Sequence, residues 1–149
     1  MYCFHSFYKD YVAKCRKVVR QYERGIMEAG TIGFESSETP MLLEKLKPSD
    51  LDRLEFGLIA MTLEGIVVIY NSVESKYSGL SPERVLNRHF FTQVAPCTNN
   101  YLVARRFNEL QLDEIISYTF ALKMKPVPVR LRMIRNTELK HMYLLVGWR

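Results

Sequence analysis

The second half of the chain opens with two short apolar runs that are separated by a tight turn. The first run, FGLIAMT, begins at Phe56, the turn is Leu63-Glu64-Gly65, and the second run, IVVIY, ends at Tyr70. Runs of this length on either side of a glycine-containing turn are typical of a β-hairpin. Three more strands are predicted near the C-terminus, at Ile116–Met124, Val127–Ile134 and Met142–Trp148, with turns at Lys125-Pro126 and Asn136–Lys140.

Helices are predicted between the hairpin and the last three strands. Asn71–Lys76 should be a short helix that Gly79 stops, and Ser81-Pro82-Glu83 should start another. A longer helix is predicted at Asn99–Leu112, with Thr98-Asn99-Asn100 as its cap. This order of elements indicates an α+β fold in which a five-stranded antiparallel sheet carries short helices on one side.

The N-terminal residues predict an amphipathic helix at Tyr2–Met27. Its apolar side chains recur at spacings of three and four, and they include Phe4, Tyr8, Tyr11, Cys15, Val18 and Tyr22. This stripe could pack on a domain or pair with a second copy of the helix, and the sequence leaves both open.

A segment rich in glycine, serine and threonine follows the helix and predicts a linker at Gly30–Pro40. Short helices are expected after it, at Met41–Leu46, which Lys47-Pro48 should end, and at Leu51–Glu55. We therefore expect an N-terminal helical extension and linker at residues 1–48, and one domain at residues 49–149.

Composition excludes several classes of protein. With 149 residues, 48% hydrophobic and 25% charged, the chain should fold around a packed core rather than stay disordered. No apolar run approaches the about 20 residues of a membrane helix, and the N-terminus lacks the pattern of a signal peptide. The odd count of 3 cysteines disfavours a disulfide framework and favours a reducing, cytoplasmic location, and the lack of a CxxC pair disfavours a zinc site.

The net charge of the chain is +5, and its basic residues are concentrated in Lys9–Arg24 and Lys123–Lys140. Nucleic-acid binding is one interpretation of these basic segments. We prefer solvated faces of a helix and of strands, because no nucleic-acid docking motif of the usual kinds is present.

The stretch NRHFFTQVAPCTNN, at Asn87–Asn100, places Cys97 in a short loop behind two phenylalanines. Backbone N–H groups and a helix dipole at this point should lower the pKa of the thiol. Tyr70 and Glu74 lie upstream, and they would be one helical turn apart if that segment is helical. A thiol, a phenol and a carboxyl group could therefore line one pocket, with Phe90 as part of its wall.

Three motifs resemble the photoactive yellow proteins, a family of blue-light receptors with the PAS fold: VAPCT at Val94–Thr98, YNSVES at Tyr70–Ser75 and YTFALKM at Tyr118–Met124. The resemblance runs from Leu51 to about Met133. It implies that 4-hydroxycinnamic acid (p-coumaric acid) is bound as a thioester on Cys97. VAPCT is the specific motif, because it contains the family's chromophore-bearing cysteine.

The resemblance also implies roles around the chromophore. Tyr70 and a protonated Glu74 would donate hydrogen bonds to the phenolate, Ser78 would support the tyrosine, and Met124 would influence recovery in darkness. The chain departs from the best-known members at two positions, since Leu80 replaces an arginine that covers the chromophore and Leu122 replaces a tyrosine.

The mechanism expected from this resemblance centres on Glu74. Burial should raise the pKa of Glu74, so that the neutral acid can donate to the phenolate. After photoisomerisation the proton is expected to pass from Glu74 to the chromophore and to leave a buried carboxylate without a partner. The N-terminal helix and linker should then loosen, because they are the least stable parts.

Two other functions compete with this photoreceptor hypothesis. The first is a PAS sensor or interaction module without this chromophore, which binds another small ligand or dimerises. The second is a thiol enzyme that uses Cys97, which we rank last because no histidine base can be placed beside it. We therefore expect a non-enzymatic signalling protein with an unknown downstream partner, and a homodimer through the N-terminal helix stays open.

Overall fold

The computed structural model describes residues 3–25 and 32–148 of the chain. These residues belong to two compact units that divide between Leu54 and Glu55. The predicted helix ends at Tyr2 and Met27, and the predicted start of the linker at Gly30, lie outside the described residues.

The first unit is helical. Its helices are α1 at Cys3–Glu23, α2 at Thr39–Leu43 and α3 at Pro48–Leu51. In the described ranges, 3–25 and 32–148, no helix is long and apolar enough to cross a membrane.

Two predictions for the first unit need correction, because α2 and α3 both begin earlier than expected. Each carries a proline in its first turn. Proline is favoured there, since its missing N–H has no partner in a helix at that position. Pro48 therefore starts a helix rather than ending one, and Leu51 is the last residue of α3 instead of the first of the predicted helix Leu51–Glu55.

The apolar stripe of α1 makes contacts within its own unit. The Tyr11 hydroxyl donates to the backbone oxygen of Ser37 at 3.0 Å, and the Tyr22 hydroxyl donates to the carboxylate of Asp50. Tyr22 is also buried. At these two positions the stripe packs in the manner of a domain helix.

The second unit is built on a five-stranded antiparallel sheet with the strand order β2-β1-β5-β4-β3. The strands are β1 at Gly57–Met61, β2 at Val67–Tyr70, β3 at Leu112–Leu122, β4 at Lys125–Arg135 and β5 at Met142–Gly147. The predicted hairpin and the α+β fold class with five antiparallel strands are confirmed.

Short helices join β2 to β3. They are α4 at Ser72–Ser78, α5 at Pro82–Val85, a π-helical turn at Phe90–Val94, and 3₁₀ turns at Pro96–Thr98 and Ala104–Asn108. The side chain of Asn71 accepts a hydrogen bond from the Glu74 N–H and caps α4. Gly79 ends α4 in the left-handed conformation, with φ at 77°.

The prediction of a long helix at Asn99–Leu112 is wrong. Asn100 Oδ1 accepts hydrogen bonds from the backbone N–H groups of Leu102 and Val103, at 2.9 and 3.1 Å. A side chain that bonds its neighbours in this way holds a turn and competes with helix formation. The segment therefore folds as turns with one 3₁₀ helix, and its last residue already belongs to β3.

The turn between β3 and β4 also differs from the prediction. It consists of Lys123 and Met124, which have φ values of 48° and 63°. Two left-handed residues make the tight hairpin turn that matches the twist of the flanking strands. Pro126, predicted as part of the turn, instead lies in β4 opposite Ala121.

The core of the second unit lies between one sheet face and the short helices. Leu131 and Met133 of β4 and Leu144 and Val146 of β5 alternate along their strands and are fully buried there. Phe90 and Phe107, together with other buried side chains of the connecting segment, pack on the same cluster. The helical layer therefore covers this sheet face, and the candidate site is lined by residues of both the layer and the sheet.

Candidate functional site

A cavity of about 270 Å³ opens beside the Cys97 loop. It brings together five of the predicted site residues, which are Cys97, Tyr70, Glu74, Ser78 and Phe90. The remaining wall is largely apolar and is formed by Leu80, Val94, Ala95, Pro96, Phe120, Ala121, Leu122 and Trp148.

Tyr70 is held by the hydroxyl group that the sequence suggested. Its Oη lies 2.7 Å from Ser78 Oγ, and Ser78 Oγ also accepts the backbone N–H of Leu80 at 3.1 Å. Tyr70 is buried, and desolvation raises the pKa of its phenol. Tyr70 therefore keeps its proton and remains a hydrogen-bond donor at neutral pH.

Glu74 is a buried acid, with only 4% of its surface exposed. Burial raises its pKa to about 7, against a smaller lowering by a hydrogen bond from Trp148. That bond runs from Trp148 Nε1 to Glu74 Oε2 and measures 2.7 Å. A large fraction of the Glu74 carboxyl is therefore protonated at neutral pH and can donate a hydrogen bond.

The start of α4 is tied to β1, and this fixes the position of Glu74. The side chain of Asn71 accepts the N–H of Leu58 at 2.9 Å and donates to the oxygen of Phe56 at 3.0 Å. Between those two residues stands Gly57, where an added Cβ would overlap Glu74 Oε2. The lack of a side chain at Gly57 therefore leaves room for the Glu74 carboxyl group.

Trp148 is a site residue that the sequence analysis missed. Its ring stacks on Tyr77 with centroids 5.5 Å apart and packs against Phe120 at 5.6 Å. A signal for it did exist, since Leu144, Val146 and Trp148 are spaced two apart and a strand places such residues on one face. That face is the one that carries the core and the cavity.

Cys97 lies in the 3₁₀ turn Pro96–Thr98 and is exposed. Desolvation beside the cavity raises the pKa of its thiol, and a backbone hydrogen bond offsets only part of that effect. The prediction that a helix dipole lowers this pKa is wrong, because the predicted long helix does not form after the loop. The thiol is therefore neutral in its resting state.

The backbone of Cys97 is pinned to the sheet, which the sequence also did not predict. Its carbonyl oxygen accepts the Tyr118 hydroxyl at 2.7 Å and Asn100 Nδ2 at 3.0 Å. Asn100 Nδ2 also donates to the Tyr118 hydroxyl at 2.8 Å. These three groups form a closed triangle, so the loop is held against β3.

Met124 is the predicted site residue that the structure does not bring to the cavity. It lies in the turn between β3 and β4, and its surface is 100% exposed. Its left-handed backbone directs the hairpin turn into solvent. The prediction that Met124 contacts a chromophore needs correction, because its side chain does not line the cavity.

Comparison with known proteins identifies the family. A photoactive yellow protein from Halochromatium salexigens is 33% identical over 106 residues, which are 68% of this chain and 85% of that protein. The chain belongs to the photoactive yellow protein family. Another photoactive yellow protein, from Rhodothalassium salexigens, is 30% identical over 108 residues, 70% of this chain and 86% of the relative. No protein-family model matches the chain.

Solved structures agree with this family membership. The photoactive yellow protein domain of the sensor histidine kinase Ppr from Rhodospirillum centenum matches with a TM-score of 0.65 and 34% identity, over 70% of this chain and 96% of that domain. A PAS domain from Desulfitobacterium hafniense matches with a TM-score of 0.51 at 15% identity, over 68% of this chain and 99% of that domain, and shows the fold alone. The PAS fold is confirmed, and the chain is a member of a family of PAS photoreceptors and sensors.

The raised pKa of Glu74 makes stability depend on pH. Its folded-state pKa of about 7 exceeds the ordinary value of 4.5, so the folded chain binds an extra proton between these values. The contribution of Glu74 to stability is therefore fully present below pH 4.5 and is lost as the pH rises through 7, by about 3 kcal/mol in total. We expect urea unfolding at pH 4.5 and 7.5 to show this loss in the wild type and not in Glu74→Gln.

A matched control for that experiment is Glu64→Gln, which removes an exposed carboxyl in the hairpin turn. This variant should keep the pH dependence of the wild type. If Glu74→Gln and the wild type lost equal stability over the same pH range, the buried acid would not be the group responsible.

Proposed function

We propose that the chain is a blue-light receptor that carries 4-hydroxycinnamic acid as a thioester on Cys97. The observation that supports this is one cavity lined by an exposed thiol, a buried phenol and a buried acid with a raised pKa. These groups suit the chromophore, because a thiol can be acylated and both Tyr70 and Glu74 can donate to a phenolate. When bound, the chromophore supplies a phenolate that absorbs blue light and a double bond that isomerises.

Cys97 provides the attachment point. Its sulfur forms a bond to the acyl carbon of an activated ester, the leaving group departs with the electron pair of the broken bond, and the thiol proton goes to solvent. A free acid would not suffice, because its carboxylate has no leaving group that the sulfur can displace, and an activated donor is therefore required. The Tyr118 and Asn100 donors hold the Cys97 backbone during this reaction.

Glu74 provides the mobile proton. A group whose pKa is about 7 can hold a proton in the dark and release it when its hydrogen-bonding environment changes. Tyr70 keeps its own proton, because burial raises its pKa by more than the hydrogen bond with Ser78 lowers it. In the proposed cycle Glu74 therefore changes charge and Tyr70 does not.

The test is to mix the full chain with an activated ester of 4-hydroxycinnamic acid and to record intact mass and visible absorbance. We expect one acyl addition at Cys97 and a blue-region band that bleaches in light and recovers in darkness. An addition without a red-shifted band would mean that the pocket does not hold a phenolate, with Leu80 as the first residue to replace. A chain that takes up no acyl group would contradict the proposal.

A second candidate is a PAS sensor that binds another small ligand without a thioester. It is favoured by the apolar rim, where Leu80 and Leu122 line the cavity in place of the arginine and tyrosine expected from the family. A buried acid is of no use to a purely apolar ligand, which is why we place this candidate second. An apolar molecule that copurifies with the chain and prevents acylation would support it.

A further inference from the structure

A single indole group joins the proposed proton donor to the end of β5. Trp148 Nε1 donates to Glu74 Oε2 at 2.7 Å. We propose that Trp148 is a positioning residue, which fixes the oxygen that carries the Glu74 proton and stabilises the carboxylate after the proton has left. The importance of that proton for signalling rests on the proposed function, whereas the contact itself does not.

The first half of the proposal follows from the chemistry of the two groups. An indole N–H can only donate a hydrogen bond, and a neutral carboxylic acid has one accepting carbonyl oxygen and one donating hydroxyl. Since the carbonyl oxygen is the stronger acceptor of the two, the bond from the indole favours the form of neutral Glu74 in which Oε2 is the carbonyl oxygen. The proton is then on Oε1, which leaves the hydroxyl available for a partner in the cavity.

Packing holds the indole in place for this task. The Tyr77 ring lies almost parallel to the Trp148 ring, with an interplanar angle of 15°, and Phe120 packs on it at 43°. At Gly57 an added Cβ would lie 3.0 Å from Trp148 Nε1 and would overlap the accepting oxygen. The hydrogen bond is therefore enclosed by two aromatic rings and a strand that has no side chain at that point.

The second half concerns the charged state. When Glu74 loses its proton, the same bond becomes charge-assisted, and such bonds are shorter and about twice as strong as neutral ones. Trp148 would therefore remain a partner for the buried carboxylate that the expected proton transfer leaves. Trp148 should limit the electrostatic imbalance that follows proton loss.

Other titratable groups around Glu74 are few among the described residues. Tyr70 faces the cavity from β2 and Cys97 faces it from its loop, and both have raised pKa values. Tyr77 lies on the far side of the indole, with the ammonium group of Lys76 5.6 Å from the centre of its ring. A change near neutral pH at the indole can therefore be traced to Glu74 by one substitution.

The first test follows the indole N–H of the unloaded full chain by NMR. The chain has 1 tryptophan, so the spectrum contains one indole signal and needs no assignment. We expect its proton shift to move with a midpoint near pH 7, and to lose that movement in Glu74→Gln. A signal that stays still between about pH 5 and 9, or that moves equally in Glu74→Gln, would overturn the proposal.

The second test removes the donor and keeps an aromatic ring. In Trp148→Phe, the Glu74 pKa, measured from its carboxyl ¹³C signal, should rise by about one to two units, because a bond to the charged form is lost. Tyr77→Phe is the control, since it keeps both the ring that stacks on the indole and the indole N–H. Equal shifts in both variants, or no shift in Trp148→Phe, would overturn the proposal.

Both tests use the chain without chromophore, so their outcome is separable from that of the loading experiment. If no acyl group attaches to Cys97 but the indole signal reports on Glu74, the proposed function fails and the role of Trp148 stands. If the pigment forms and the indole signal does not titrate, only the inference on Trp148 fails. Should Trp148→Phe not fold, the wild-type titration and Glu74→Gln still decide the question.

Discussion

Replacing Cys97 with serine is expected to abolish covalent loading by the activated ester. An alcohol has almost no anionic form at neutral pH and is a weak nucleophile without an adjacent base, whereas a thiol is a few per cent thiolate. The described residues that line the cavity include no histidine or lysine that could act as this base, and its acid Glu74 is engaged by Trp148. Intact mass after incubation should show one added acyl group in the wild type and none in Cys97→Ser.

The control for this prediction is Cys15→Ser. Among the cysteines whose side chains the structure describes, Cys97 is exposed and Cys15 is buried in α1. Cys15→Ser should load like the wild type, and peptide mapping should place the added mass on Cys97. A Cys97→Ser chain that still gained the acyl group and the visible band would remove Cys97 from the proposed function.

Replacing Gly57 with alanine is expected to separate attachment of the chromophore from its tuning. The new methyl group would overlap Glu74 Oε2 and would lie 3.0 Å from Trp148 Nε1, so the acid and the indole must part. Forcing a methyl group into a packed core costs about 1–3 kcal/mol. We expect Gly57→Ala to lose about 2 kcal/mol of unfolding free energy in urea and to acylate at Cys97 with an altered visible band.

Gly33→Ala is a matched control in the first unit. Its added Cβ would meet Ser36 Cβ at 3.5 Å, which is ordinary van der Waals contact, and its φ is not in the left-handed region. Its stability should stay within about 1 kcal/mol of the wild type. If Gly57→Ala were as stable as Gly33→Ala and had the wild-type visible band, Glu74 would have room that the structure does not show.

The parts of the fold that the sequence predicted correctly are those with local causes. The hairpin follows from two short apolar runs around a glycine turn, and the end of α4 follows from the Gly79 stop. In each case the residues that determine the structure lie within a few positions of the structure itself. Such signals are readable without knowledge of the rest of the chain.

The secondary-structure predictions failed at residues whose type is compatible with more than one local structure. Asn100 was expected to cap a helix and instead bonds the backbone of its own turn. Pro48 was expected to end a helix and instead begins one. Both residue types favour helix starts and turns alike, so the choice depends on tertiary contacts that a local pattern does not contain.

The candidate site divides in the same way. Tyr70 and Glu74 could be paired because they lie four positions apart in the sequence, although Tyr70 ends β2 and Glu74 lies in α4, and family motifs added Cys97. The bond from Trp148 to Glu74 joins residues 74 positions apart, and no periodicity links them. The need for a glycine at position 57 could not be predicted from the sequence either, because it depends on the positions of Glu74 and Trp148 in the folded chain.

The triangle of Cys97, Asn100 and Tyr118 has a mechanical consequence. Tyr118 belongs to β3, which is an edge strand of the sheet. Its hydroxyl donates a hydrogen bond to the carbonyl oxygen of Cys97, the residue proposed to carry the pigment. The loop and this outermost strand are thus mechanically coupled through hydrogen bonds. Any displacement of the Cys97 backbone must either pull on that strand or first break the hydrogen bonds from Tyr118 and Asn100.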